Sequence, residues 1–244
     1  MSGLPRKLIV NADDLGYTPL TSAGIFAAWR GGIVTSASLM VRRPDAEAAA
    51  RRAAAEGFTD LGLHLDLGEW TCRDGRWRRL YEVVPLDDAA AVRDECERQL
   101  ERFCELVGRG PTHLDSHQHV HREEPVRSVA RAIAGRLGIV LRDASAVVAY
   151  DGGFYGQSAA GCSAPECLTE QAIMRILAGC DAAVLELGCH PGLDPDLETM
   201  YCPERRLEVE VLCTPGLRGR IAAAGFELAT FAALGPQPAP EAAG

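Results

Sequence analysis

Short apolar runs alternate along this chain with alanine-rich amphipathic stretches, and that alternation restricts the fold more than any other feature. The runs at 8–11, 36–41, 61–67, 139–142, 182–189 and 226–230, with a histidine-bearing run at 112–121, read as strands. Helical periodicity occupies 22–30, 44–56, 86–107, 124–137 and 215–224. The first of these ends on the stop signal Gly31-Gly32, and the longest lines up Val92, Cys96, Leu100, Phe103, Cys104 and Val107. About seven β-α units of this kind predict a parallel α/β sheet with helical crossovers. Short strands spread over this length suit a barrel better than an open sheet. The stretch 147–168, rich in glycine, serine and alanine, has no period and is expected to be a long loop over the site. Residues 1–234 read as one catalytic domain, and the proline-rich tail 235–244 as disordered.

Bulk properties exclude some functions. A net charge of −9 argues against nucleic acid or an anionic membrane surface as partner, since both call for basic surfaces. No segment approaches the ~20 apolar residues of a membrane span, and Met1 to Lys7 lead straight into the first strand without a secretory leader. The nine cysteines are scattered, with no Cys-X-X-Cys pair, which fits reduced thiols in a cytoplasm. Cys189, beside His190, reads as a small buried strand residue rather than a nucleophile. A homo-oligomer stays open, because no coiled-coil or exposed apolar stripe is evident.

Four of the six histidines fall in Thr112-His113-Leu114-Asp115-Ser116-His117-Gln118-His119-Val120-His121. If this run is extended throughout, Asp115, His117, His119 and His121 share one side, because side chains alternate faces. Such a concentration of imidazole points to metal binding or proton transfer. In parallel α/β proteins functional groups gather at the carboxyl ends of strands. Three further polar clusters sit at such ends: Asn11-Ala12-Asp13-Asp14-Leu15-Gly16, Gly62-Leu63-His64-Leu65-Asp66 and Glu186-Leu187-Gly188-Cys189-His190-Pro191-Gly192. Each alone has a structural explanation, a turn carboxylate or a hydrogen-bonded core histidine. Together they place one carboxylate and two imidazoles on separate strands, a three-ligand site with open positions. Adjacent Asp13 and Asp14 can divide the work, one ligating and the other taking a proton.

In this order the four motifs resemble the YdjC-type carbohydrate deacetylases, the group that includes the chitooligosaccharide deacetylases. The resemblance runs on through Gly31-Gly32-Ile33-Val34-Thr35-Ser36, Leu141-Arg142, Phe154-Tyr155-Gly156 and Tyr201-Cys202-Pro203-Glu204-Arg205, over about residues 7–232. It implies a distorted (β/α) barrel of the polysaccharide-deacetylase and glycoside-hydrolase type. It also implies metal-dependent removal of an acetyl group from a small N-acetylated sugar. Carried over by position, Asp14, His64 and His117 would bind the metal, Asp13 would be the general base and His190 the proton donor. His119, His121, Arg142 and Tyr155 would form the substrate-binding side, the two histidines lining the cleft or supporting the ligands from behind, with Trp70 and Trp77 available to stack on a sugar face. The cation would be divalent: imidazole favours Zn²⁺, members of the family have been associated with Mg²⁺, and both stay open.

Two other classes compete. A two-carboxylate glycosidase using Asp13 and Asp115 would leave the histidines unexplained. A sugar- or metal-binding protein without catalysis would keep its affinity in Asp13→Asn and would release no acetate.

Overall fold

The computed structural model describes residues 5–73, 75–158 and 161–237. Strand β1 (Arg6–Leu15) leads into helix α1 (Pro19–Gly31), strand β2 (Ser36–Leu39), helix α2 (Ala46–Glu56) and strand β3 (Leu61–Leu65). A hairpin follows, β4 (Gly68–Arg73) and β5 (Arg76–Glu82), then the long helix α3 (Ala89–Val107) and strand β6 (His113–Ser116). Next come α4 (Val126–Leu137), β7 (Val140–Leu141), β8 (Ala149–Asp151), α5 (Glu170–Gly179) and β9 (Val184–Cys189). Helices α6 (Pro203–Leu212) and α7 (Leu217–Ala223) and strand β10 (Phe226–Leu228) complete the order.

The main sheet runs β7-β6-β3-β2-β1-β9-β8, with β10 added to the start of β1, and every pairing in it is parallel. The expected distorted barrel of seven parallel strands is therefore what forms. Among the described residues no pairing joins β7 to β8, so hydrogen bonding leaves the barrel open on that side.

Strand alternation sorts the residues into two layers. Leu8, Val10 and Ala12 of β1, Ala37 and Leu39 of β2, Leu63 and Leu65 of β3, and Leu185 and Leu187 of β9 join the large core with the helices. The intervening positions face inward. At the bottom of the barrel they are apolar, with Ile9, Val140, Val148, Val184 and Phe231 packed together. Toward the carboxyl ends they turn polar: Asn11, Asp13, Ser38, His64, Asp115, Arg142 and Glu186 are all buried. Helix starts are capped by Thr18, Asp88 and Thr169, whose side-chain oxygens accept from backbone N–H groups of the first turn.

Three expectations are corrected. The histidine run is not extended throughout: β6 stops at Ser116, and 117–122 form a tight 3₁₀ turn in which Gln118 and His119 take left-handed φ of 52° and 55°. That turn separates His117, which meets Asp14 and His64, from His119 and His121, which lie together beside Asp143. The stretch 147–168 is not all loop, because it supplies the sheet-edge strand β8 and a short 3₁₀ turn at Pro165–Cys167. The hairpin β4–β5 and helices α5 and α6 were absent from the sequence reading. Of the tail, 238–244 lie outside the described residues; Gln237 donates its backbone N–H to Gly138 at 2.8 Å.

Candidate active site

At the carboxyl end of β1 the chain places two consecutive carboxylates in one site, which plain alternation forbids. A register shift between Ala12 and Leu15 against β2, with Asp14 at φ 67°, re-aims the second aspartate. Gly16, at φ 86°, then turns the chain away; a Cβ there would lie 2.9 Å from the Ala46 Cα.

Asp14 is the hub. Its Oδ1 lies 3.0 Å from His117 Nδ1 and 3.3 Å from His64 Nε2, while its Oδ2 accepts from Arg205 at 2.6 Å. These three donor atoms fall within 4.8 Å of one another, and all three residues are buried. His64 is oriented from behind, since its Nδ1 lies 2.7 Å from Asp115 Oδ1. Asp115 is its register partner across β3 and β6. On the far side of His117, Nε2 is buried without a hydrogen-bond partner and lies 3.7 Å from Glu69. Tyr17 donates to that Glu69 at 2.7 Å. Burial opposes charge on Asp14, but Arg205 and His117 outweigh it and hold the carboxyl well below its usual range. Burial likewise disfavours protonated His64 and His117. The carboxylates beside them win, raising His64 to about 10 and His117 to about 9.

Asp13 has a different setting. Arg142 grips it with two nitrogens at 2.6 and 2.8 Å, and the same guanidinium reaches Asp115 at 2.8 Å and Glu186 at 2.6 Å. Arg142 follows β7 and Glu186 lies on β9, so this one buried cation bridges the unpaired side of the barrel. Burial, the largest influence, raises the Asp13 pKa and Asp115 adds to it, but Arg142 and His64 together outweigh them and the net direction is down. Glu186, which burial dominates, is pushed up to about 7.

His190 sits just past β9, with Nε2 at 3.7 Å from Asp13 Oδ2. Its backbone N–H donates to Glu208, its ring meets Tyr155 and Tyr201 edge-on at 5.3 and 5.6 Å, and burial pushes it down to about 4. The following turn is seated by close backbone contact, since a Cβ on Gly24 of α1 would fall 2.5 Å from the Gly192 Cα.

These groups lie at one end of a cavity of about 780 Å³, whose walls include Asp13, Asp14, His117, His190, Trp70 and Tyr155. Tyr155 and His119 line it. His121 and Arg142 do not line it: they are 2% and 1% exposed and face Ser116 and the carboxylates respectively, which places His121 behind the cleft wall. His113 turns to the barrel interior, stacked on Phe231 at 3.9 Å and packed over Gly62.

Several residues of the site were not singled out by the sequence reading, although Arg205 and Glu186 lie within motifs it quoted. Arg205 and Glu208 come from α6, where buried charges erase the apolar period. Glu69 comes from the hairpin. Glu186 carried a usable signal, a lone charge in Val-Leu-Glu-Leu-Gly-Cys.

Comparison with known proteins fits this geometry. The model of the YdjC-like protein family matches residues 7–223. The chain belongs to the YdjC-like family. A protein from Serratia marcescens named chitooligosaccharide deacetylase is 32% identical to this YdjC-like chain over 267 aligned positions, covering 93% of the chain and 99% of the relative. One of the same name from Klebsiella pneumoniae (strain 342) is 33% identical at the same coverage. Among solved structures, an Enterococcus faecalis V583 protein named for cellobiose-phosphate cleavage superposes with a TM-score of 0.74 at 26% identity, covering 94% of this chain and 99% of that one. A family 4 carbohydrate esterase from Streptomyces lividans shares the fold, with a TM-score of 0.53 at 11% identity, covering 98% and 100%.

Proposed function

We propose that this YdjC-like chain is a metal-dependent carbohydrate deacetylase that hydrolyses the acetamide of a small N-acetylated sugar. The carrying observation is the convergence of Asp14, His64 and His117 on one point beside the Asp13–His190 pair. The donor set suits a divalent cation. Ligand bonds of about 2.0–2.1 Å set neighbouring donors about 3.0–3.4 Å apart. The distances of 3.0 and 3.3 Å from Asp14 to the two imidazoles match that spacing. Asp115 behind His64 is the outer carboxylate that fixes a ligating imidazole. A second grouping, Asp13, His64 and Asp115, also brings donors together. It is already neutralised by Arg142.

A cation held by Asp14, His64 and His117 supplies Lewis-acid polarisation of the amide carbonyl and acidifies the attacking water. Asp13 does the proton work. Arg142 keeps it ionised and fixes its plane, and the residue lines the cavity, where it can accept the water proton. His190 is neutral at rest, and 3.7 Å separates its Nε2 from Asp13 Oδ2. The proton taken by Asp13 thus has a short route through His190 to the leaving nitrogen, giving acetic acid and a free amine in balance. Trp70, Trp77, Tyr150 and Tyr155 on the cavity wall offer faces for sugar rings.

A glycosidase built on Asp13 and Asp115 is disfavoured, because one guanidinium holds both carboxylates and Asp115 is fully buried. The setting we favour is cytoplasmic: all nine cysteines are free, and no described helix is long and apolar enough to cross a membrane. The test is acetate release from a panel of N-acetylated mono- and disaccharides, with and without a chelator, beside Asp13→Asn. Chelator-sensitive release that vanishes in the variant, with metal still bound, is the expected result. Near wild-type release by Asp13→Asn would refute the base assignment.

A further inference from the structure

His119 and His121 are unused by the chemistry above, yet they converge on Asp143 beside the same cavity. His119, His121 and Asp143 each present one donor atom within 4.8 Å of the others. We infer that these three residues form a second divalent-cation site, for a borderline transition ion of the Zn²⁺, Co²⁺ or Ni²⁺ type, distinct from the Asp14 centre.

Three observations carry this. First, the inward nitrogens lack partners: His119 Nδ1 and His121 Nε2 are buried and make no hydrogen bond. An unsatisfied buried polar atom costs roughly 1–3 kcal/mol, so two on adjacent rings call for a ligand. Second, the opposite nitrogens are held. His121 Nδ1 lies 2.6 Å from Ser116 Oγ, and His119 Nε2 lies 3.4 Å from the Tyr150 hydroxyl. A fixed rear nitrogen and a free front one is the arrangement of ligating imidazoles. Third, His121 Nε2 and Asp143 Oδ2 stand 4.0 Å apart, too far to hydrogen-bond. A tetrahedral ion would set them about 3.4 Å apart, a small shift for a residue on the partly exposed loop after β7.

Arg122 now competes for the position, donating to Asp143 Oδ2 at 2.8 Å from Nε. Its side chain is 47% exposed and free to swing outward. Asp143, His119 and Arg122 all line the cavity, so an ion here has its open position toward the substrate and would take a sugar or carboxylate oxygen.

The test is metal stoichiometry, which needs no activity. Chelator-stripped protein is loaded with Co²⁺, freed of excess by gel filtration, and assayed by elemental analysis and visible absorption. We expect about two ions per chain in the wild type, and about one in His121→Ala and in Asp143→Asn. His64→Ala should also retain about one, now with the spectrum of the second site. Arg122→Ala should tighten the second ion by removing its competitor. One ion in the wild type, kept in His121→Ala and lost in His64→Ala, would overturn the second site and spare the first. Asp143→Asn nearly preserves size at a partly exposed position, so it decides the question if His121→Ala fails to fold.

Discussion

Removing the guanidinium of Arg142 tests the electrostatic frame of the site most directly. Arg142→Met keeps most of the volume but leaves Asp13, Asp115 and Glu186 without the one cation touching all three. Glu186, already raised to about 7, can escape by taking a proton. Asp13 and Asp115 are held in the opposite direction, so they are the charges the variant strands. Breaking a buried pair by deleting one partner typically costs about 3–5 kcal/mol. With a urea m-value of about 2–3 kcal/mol per molar, the midpoint should fall by about 1–2.5 M. The sign with pH also follows. Carboxyls whose folded pKa is depressed contribute stability above their unfolded pKa, and that contribution disappears as pH falls through the folded one. Wild type should therefore keep this contribution well into acid, whereas Arg142→Met should begin with it missing. If Asp13 is the base, the acid limb of kcat/KM should move to higher pH, and less so in Arg142→Lys, which keeps the charge. A midpoint within about 0.3 M of wild type would refute the network as a structural element.

Three further outcomes are expected. His64→Ala and His117→Ala should each lose the ion of the Asp14 centre by elemental analysis; retention of that ion in both would remove them as ligands. Glu208, pushed up to about 8 chiefly by burial, favours the folded state in its protonated form. Its contribution is complete below the unfolded pKa near 4.5 and is lost as pH rises through 8. Glu208→Gln should therefore reduce the loss of stability between pH 5 and 8 by up to about 1.4 kcal/mol per pH unit, read from urea midpoints; an unchanged slope would contradict it. Gly24→Ala would gain about 1 kcal/mol of helix propensity on an exposed helix. Here its Cβ would fall 2.5 Å from the Gly192 backbone, so the variant should be less stable and slower, with the His190 turn displaced. A stabilised, fully active variant would show that this contact is slack.

What the sequence revealed and what it hid have one physical cause. Leu8 to Asn11, Leu61 to Leu67 and Ala182 to Cys189 are legible as strands because their outward faces meet helices and must be apolar. The same alternation delivers the inward residues, so Asp13, His64 and His190 were expected near one another from strand position alone. Prediction failed where a polar function displaced the usual pattern. Helix α6 buries Glu204, Arg205 and Glu208 against the site rather than an apolar stripe, so periodicity could not find it. The histidine run looked like a strand because His113, Asp115, His117, His119 and His121 alternate without a break. The left-handed residues Gln118 and His119, neither of them glycine, fold it back. That turn is what separates the two groups of donors proposed to hold ions. An extended run would have put His117, His119 and His121 on one face of one strand, about 6.8 Å between successive members at the usual strand rise. Folding it sends His117 alone to Asp14 and turns His119 and His121 together toward Asp143. The nonglycine left-handed backbone therefore has a consequence for chemistry: it sends the histidines of one short segment into two separate groups of donors beside one cavity.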